Sequence, residues 1–204
     1  SVPYQQYVKS KIPSLASRLG ELGYTTTAIH PYYGSGWNRN TVYPLLGFDN
    51  MIFKDAFTAP KKIRNYISDE SAFQKIIDLY EEKGTDEKLF AFEVTMQNHG
   101  GYSKDTDDFR ESVYLTDELN QGTQVRAAEK YLTLIQKSDE AFKELVEYFE
   151  KQKEPTIILM FGDHQPSDYI TNVILRELDL DRDESQDVYF DNYIVPYIMW
   201  SNYD

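Results

Sequence analysis

The 204-residue sequence has no cysteine, only three histidines and two tryptophans, and 21 basic side chains against 34 acidic ones. Without cysteine there is no disulfide scaffold, no thiolate nucleophile and no cysteine-based zinc site, although this does not fix the compartment. A formal net charge of −13 argues against nucleic acid or an anionic membrane as a partner of the whole surface. Any phosphate must therefore be held by a local feature, such as an arginine or a metal ion. No run approaches the roughly 18 consecutive apolar residues of a membrane span, and no basic-then-apolar signal opens the chain. There is no initiator methionine: Ser1-Val2-Pro3-Tyr4 leads with polar residues into a helix. The expectation is an excised piece of a longer protein, in which case missing targeting elements say nothing about location.

With 41% hydrophobic and 15% aromatic residues, the chain can bury a core, and its length suits one domain spanning residues 1–204. A helix is expected after Pro13, with Leu15, Leu19 and Leu22 on one face and Gly23 as its stop. Tyr24–Ile29 reads as a strand, and His30–Pro60 as a long loop rich in turn residues. A second helix follows a Ser68 or Asp69 cap, with Phe73, Ile76, Ile77 and Tyr80 at helical spacing. Leu89–Thr95 is a second strand. The longest helix is expected from about Thr123 to Lys151, with Val125, Ala128, Leu132, Ile135, Phe142, Leu145 and Phe149 as its buried stripe. Thr156–Phe161 is apolar on both faces, as a strand covered by helices on both sides requires. A short helix with Ile170, Val173 and Ile174 follows. The last strand, Tyr193–Trp200, is interrupted by Pro196, which favours an edge. This alternation is the α/β signature, and ligands of such sheets sit at the carboxyl ends of the strands.

His30, His99 and His164 each fall at, or within about four residues of, the end of an expected strand, which points to a shared site. A lone loop histidine is ordinarily just solvated; three of three at one edge is harder to dismiss. Gly162-Asp163-His164 offers one hard oxygen and one borderline nitrogen ligand, a mix that suits Mn²⁺ or Zn²⁺. Its bland alternative is that Asp163 caps the next helix. Asn98-His99-Gly100-Gly101 could present an imidazole to an anionic oxygen or a leaving group, or be a tight turn only. In Trp37-Asn38-Arg39, arginine offers a fork for phosphate or sulfate and tryptophan an apolar wall. Alternatively, Trp37 anchors the loop and Arg39 pairs with one of the many acids.

At these residues the sequence resembles the extracellular catalytic domain of lipoteichoic acid synthases and related phosphoglycerol transferases, in the alkaline phosphatase and sulfatase superfamily. The resemblance rests on Gly23-Tyr24-Thr25-Thr26 leading to Ala28-Ile29-His30, then Trp37-Asn38-Arg39 and Tyr43-Pro44-Leu45-Leu46-Gly47-Phe48-Asp49. It continues through Thr95-Met96-Gln97-Asn98-His99-Gly100 and Phe161-Gly162-Asp163-His164 to Val195-Pro196-Tyr197. It implies an alkaline-phosphatase-like α/β fold: a mostly parallel central sheet with helices on both faces, here without the N-terminal part of the domain. It implies that Asp163 and His164 bind a catalytic divalent ion, Mn²⁺ in synthases of this type. It further implies that His99 contacts the transferred phosphate group and acts on the leaving oxygen, and that His30, Trp37 and Arg39 line the glycerol-phosphate pocket. In the family a phosphatidylglycerol-type lipid gives its glycerol phosphate to a threonine nucleophile, and the intermediate passes to a glycerol-phosphate polymer or a glycan acceptor.

The family's threonine nucleophile and one acidic metal ligand lie upstream of the point matched by Ser1; Thr25, Thr26 and Thr27 fall in a strand and do not match it. The expectation is a partial catalytic domain, inactive by itself. It would be soluble and able to self-associate through the edge or apolar groove left by a missing strand. The parent is expected to be anchored in the cell membrane and to work on its extracellular face. Two other readings stand beside transfer: a sulfatase-like or phosphodiesterase hydrolase with water as acceptor, and a non-catalytic module that binds glycerol phosphate.

Overall fold

The computed structural model describes residues 3–116, 122–180 and 193–203. The chain separates into two compact units, residues 1–97 and 98–204.

The first unit is built on a parallel three-stranded sheet. Its middle strand is β1 (Tyr24–His30), flanked by β2 (Asn50–Phe53) and β5 (Lys88–Glu93). The register sets Ile29 opposite Ile52 and Glu93, so the three strands end together. After the short α1 (Pro3–Tyr7), α2 (Leu15–Glu21) leads into β1. Ser14, not Pro13, starts α2: its hydroxyl accepts from Ser17 N–H at 3.1 Å, while Ser17 Oγ accepts from Ser14 N–H at 2.9 Å, satisfying two otherwise orphaned donors. Leu15 and Leu22 are exposed and Ala16 is the buried residue of this helix, so the expected leucine face is not the packed one.

The segment expected to be a loop, residues 30–60, contains α3 (Arg39–Leu45), strand β2 and two short 3-10 turns. Gly47 joins α3 to β2 with φ +90, and a β-carbon there would lie 2.7 Å from Ser17 Cβ. Only glycine meets both conditions. Side chains cover both faces of the sheet. Phe48 stacks on Phe90 and Phe92, with centroids 6.2 and 5.9 Å apart. On the other face Ile29, Phe57 and Ile67 form a cluster with Ile76 and Leu79 of α4 (Asp69–Glu82). The short hairpin of β3 (Lys62–Ile63) and β4 (Tyr66–Ile67) delivers Ile67 to that cluster. Ser68 caps α4, accepting from Ser71 N–H.

The second unit centres on α5 (Thr123–Phe149), 27 residues long. Val125, Ala128, Phe142, Leu145 and Phe149 are buried as expected, but Leu134 is fully buried where Ile135 is exposed. Val125, Ala127 and Ala128 pack against Ile170 and Val173 of α6 (Asp168–Glu177). Strands β6 (Ile157–Phe161) and β7 (Tyr197–Ser201) form an antiparallel ribbon. Pro196 sits just before β7, where a missing N–H costs no ladder bond; residues 193–196 are not strand, so β7 begins later than expected. The ribbon departs from expectation in one respect: Ile157, Leu159 and Phe161 are each more than half exposed. An apolar run does not itself specify a cover on both faces; among the described residues β6 pairs with β7 and alternates between exposed and half-buried positions. The whole is an α/β fold with a parallel sheet and helices. No helix among the described residues is long and apolar enough to cross a membrane.

Candidate functional site

Within the first unit the site residues sit on β1 and the turn that follows it. His30 is the last residue of β1 and is 1% exposed. Its Nδ1 lies 2.7 Å from the Val94 carbonyl. A carbonyl only accepts, so Nδ1 carries the proton and Nε2 keeps the lone pair in the neutral ring. Trp37 and Asn38 both adopt left-handed backbone, φ 55 and 56. For a bulky residue such as Trp37 this conformation costs on the order of 1 kcal/mol or more, and such outliers gather at binding sites.

That turn places Trp37, half exposed, under the Arg39 guanidinium, whose carbon lies 5.2 Å from the ring centroid. Arg39 Nη1 donates to the Gly36 carbonyl and Nε to the Tyr43 hydroxyl, both at 3.1 Å. Burial pushes the Tyr43 phenol above its ordinary value while the Arg39 charge pulls it back, so it stays a neutral acceptor at physiological pH. Arg39 has no carboxylate partner among the described residues, so the bland reading as an ordinary ion pair is not what the structure contains. Nη2 makes no hydrogen bond among the described residues, and Arg39 as a whole is 7% exposed. Thr26 and Thr27 are buried in β1, consistent with their not being a nucleophile.

The second unit carries the other three residues. His99 is exposed in the turn just beyond Gln97. The turn is tied to α5 by Asn98 Nδ2, which donates to Ser138 Oγ at 2.8 Å, and Tyr102 OH bonds to the Asn98 carbonyl. Gly101 has φ +98, whereas a β-carbon on Gly100 would meet nothing within 4 Å. The second glycine is thus a backbone requirement and the first leaves open space beside His99.

Asp163 and His164 follow β6 directly, with Oδ2 and Nε2 3.7 Å apart and both side chains mostly exposed. His164 Nδ1 lies 2.7 Å from the Gln165 carbonyl, so Nδ1 donates, and in the neutral ring Nε2 then carries the lone pair. That is the tautomer a metal-binding imidazole needs. Asp163 is not the cap of α6; Ser167 is. The glycines with left-handed backbone among the described residues are Gly23, Gly47 and Gly101. Gly162 instead makes room for Val195, whose Cβ would be 3.4 Å from an added β-carbon. No group of three or more His, Cys, Asp or Glu that could hold a metal occurs among the described residues. Asp163 and His164 offer one carboxylate and one imidazole donor, two of the four or more that a divalent ion needs.

One buried acid was not singled out from the sequence. Glu93 ends β5, and both its carboxylate oxygens are buried without a hydrogen-bond partner among the described residues. A lone acid in the apolar run Leu89–Thr95 was the available signal.

The profile of the sulfatase family matches residues 1–204. The chain belongs to the sulfatase family. Among its relatives, the "Putative cyclic beta-1,2-glucan modification protein" of Rhizobium meliloti (strain 1021) is 32% identical over 206 residues, covering 99% of this chain and 32% of that protein. The lipoteichoic acid synthase LtaP from Listeria monocytogenes has the same fold, with TM-score 0.76, 20% identity, and coverage of 98% of this chain and 48% of that one. The Streptococcus pyogenes phosphoglycerol transferase GacH, solved with sn-glycerol-1-phosphate, superposes with TM-score 0.68 and 22% identity over 99% of this chain and 50% of that one. This sulfatase-family chain thus spans about a third of the curated relative and about half of each solved chain.

Proposed function

We propose that the protein carrying these residues is a metal-dependent phosphoglycerol transferase. It takes glycerol phosphate from a phosphatidylglycerol-type lipid and passes it, through a threonine nucleophile outside these residues, to a glycerol-phosphate polymer or glycan acceptor. The observation that carries this reading is the Arg39 guanidinium, fixed by Gly36 and Tyr43 on the Trp37 ring with Nη2 left over. A pre-oriented fork over an apolar plane suits a small organic phosphate: the charge meets the guanidinium and the carbon body meets the indole. GacH, solved with sn-glycerol-1-phosphate, and LtaP, a lipoteichoic acid synthase, support the substrate class. The name of the Rhizobium meliloti relative supports a glycan as acceptor.

In this reading His30, Trp37 and Arg39 line the glycerol-phosphate pocket. His99, exposed between an anchored asparagine and open space, delivers a proton to the leaving oxygen or donates to a phosphate oxygen. Asp163 and His164 hold Mn²⁺ or another divalent ion together with ligands from outside these residues. Such an ion, when bound, lowers the pKa of a hydroxyl nucleophile and offsets charge that develops on phosphate oxygens. The reaction belongs to the outer face of a cell membrane, and residues 1–204 by themselves do not turn over.

The test uses the full-length parent protein and headgroup-labelled phosphatidylglycerol, with Mn²⁺ and with a chelator. Metal-dependent release of glycerol phosphate onto an acceptor is expected. Release to water alone would shift the assignment to a hydrolase of the same family, and no release with metal bound would overturn the donor.

A further inference from the structure

Helix α1 opens on Pro3, a position where proline's fixed φ and missing N–H cost nothing. Tyr4 follows and is half-buried, whereas Tyr7 is exposed. The Tyr4 carbonyl accepts from Val8 N–H at 3.1 Å, closing the turn. The chain then runs along α3: Ile12 N–H donates to the Leu45 carbonyl at 3.2 Å, and the Ser14 hydroxyl donates to the Leu46 carbonyl. This segment is thus tied to the C-terminal end of α3, while Tyr4 meets the residues at its N-terminal end.

There Tyr4 adds a third aromatic side chain to those around Arg39. Its ring centroid lies 6.3 Å from that of Trp37, with the planes 49° apart, so the two rings form an open V and not a stack. The Arg39 guanidinium lies over the same indole and gives its Nε–H to Tyr43. The two phenols differ in what their hydroxyls do. Tyr43 is buried and its hydroxyl is occupied by Arg39; the Tyr4 hydroxyl makes no hydrogen bond among the described residues. Burial raises the Tyr4 phenol above its ordinary value and the Arg39 charge pulls it back, so the hydroxyl is neutral and within electrostatic reach of the guanidinium. Because Arg39 itself is buried and Trp37 is half exposed, a ligand meets the rims of these rings before it reaches Nη2.

We propose that Tyr4 is a specificity-determining residue of this pocket, its hydroxyl reading a free alcohol on the carbon body of a small polyol phosphate. A guanidinium has donors only, so Arg39 responds to phosphate oxygens whatever they are attached to. A phenol both donates and accepts, and pairs with an alcohol in either sense. A site that holds a polar group for a substrate hydroxyl rejects the analogue lacking it, because that group is then left unpaired. The indole plane supplies the wall for the carbons between phosphate and alcohol. Tyr4 thereby deepens the transferase reading, on which the ligand class rests: it tells a glycerol phosphate from a simple alkyl phosphate.

The test is calorimetric titration of the full-length protein with sn-glycerol-1-phosphate, n-propyl phosphate and inorganic phosphate, in wild type, Tyr4→Phe and Arg39→Ala. Tyr4→Phe keeps the ring and removes only the hydroxyl. It should weaken sn-glycerol-1-phosphate about three- to tenfold, the loss of one neutral hydrogen bond, and leave the other two ligands within about twofold. Arg39→Ala should weaken all three. Wild-type affinity of Tyr4→Phe for sn-glycerol-1-phosphate would overturn the assignment. Equal weakening of all three ligands in Tyr4→Phe would overturn it too, as the mark of a residue that only holds Trp37 or Arg39 in place. No binding of any of the three by wild type would remove the pocket and the role of Tyr4 with it. Lost selectivity in Tyr4→Phe, in a protein that releases no glycerol phosphate from phosphatidylglycerol, would leave Tyr4 standing and the transferase reading fallen. Metal-dependent release by wild type, with selectivity unchanged in Tyr4→Phe, would do the reverse.

Discussion

Glu93, at the end of β5, lies within electrostatic reach of Asp69, the first residue of α4, with both its own carboxylate oxygens buried. Burial, and secondarily the Asp69 charge, hold the Glu93 carboxyl well above the usual range. An acid raised in the folded state binds more protons than in the unfolded chain, so this group's contribution is fully present below its unfolded value, near 4.5. It is lost as pH rises from there toward the folded value. Urea unfolding between pH 4.5 and 7.5 should therefore show stability falling with pH, by at most about 1.4 kcal/mol per pH unit for one proton. Glu93→Gln should flatten that slope; parallel slopes in variant and wild type would refute the assignment.

Removing the arginine fork tests the pocket. Arg39→Ala in the full-length protein should raise KM for the lipid donor by about 10- to 100-fold, the loss of one or two charge-assisted bonds. Arg39→Lys keeps the charge without the planar fork and should recover little of it. A wild-type KM in either variant removes Arg39 from the site.

Divalent-ion binding is a separate test. In the full-length protein Asp163→Ala and His164→Ala should each abolish Mn²⁺ binding measured by electron paramagnetic resonance, without lowering the melting temperature of the metal-free protein. Both side chains are largely exposed, so a large stability loss would indicate a structural role instead.

Asp49, between α3 and β2, has a structural role. Its Oδ2 accepts from Thr26 N–H at 2.9 Å and lies 2.9 Å from the Thr26 hydroxyl, while its own N–H donates to Thr26 Oγ1 at 3.0 Å. Asp49→Ala leaves the buried Thr26 amide unpaired and should cost about 1–3 kcal/mol in urea unfolding. Asp49→Asn, which retains an acceptor, should cost less; equal losses would show that the charge rather than the hydrogen bond matters.

The elements legible from the sequence were those with strong local signals. The threonine run before Ala28 and Ile29 marked β1, Ser68 marked the start of α4, and the long apolar stripe marked α5 to within two residues of its end. Helix α3 and strand β2 were not legible, because seven and four residues give too little periodicity. Strand β2 is also defined by a parallel pairing with β1 more than 20 residues away, a nonlocal contact. The cover over β6 was misjudged because an apolar run reports hydrophobicity and not what lies against it. At the site, residue types pointed to His30, Trp37, Arg39, His99, Asp163 and His164. What no sequence pattern shows is the left-handed backbone of Trp37 and Asn38, which turns three neighbouring residues into a stacked pair.

That stacked pair gives the protein a built-in optical reporter. The sequence has two tryptophans, Trp37 and Trp200. Replacing Trp200 with phenylalanine would leave a single emitter, half exposed and in contact with the Arg39 charge. An anion that neutralises that charge, or a carbon body that displaces water from the ring, changes the field and polarity at the indole. Ligand occupancy could then be followed by emission wavelength and quenching, with no labelled substrate and no turnover.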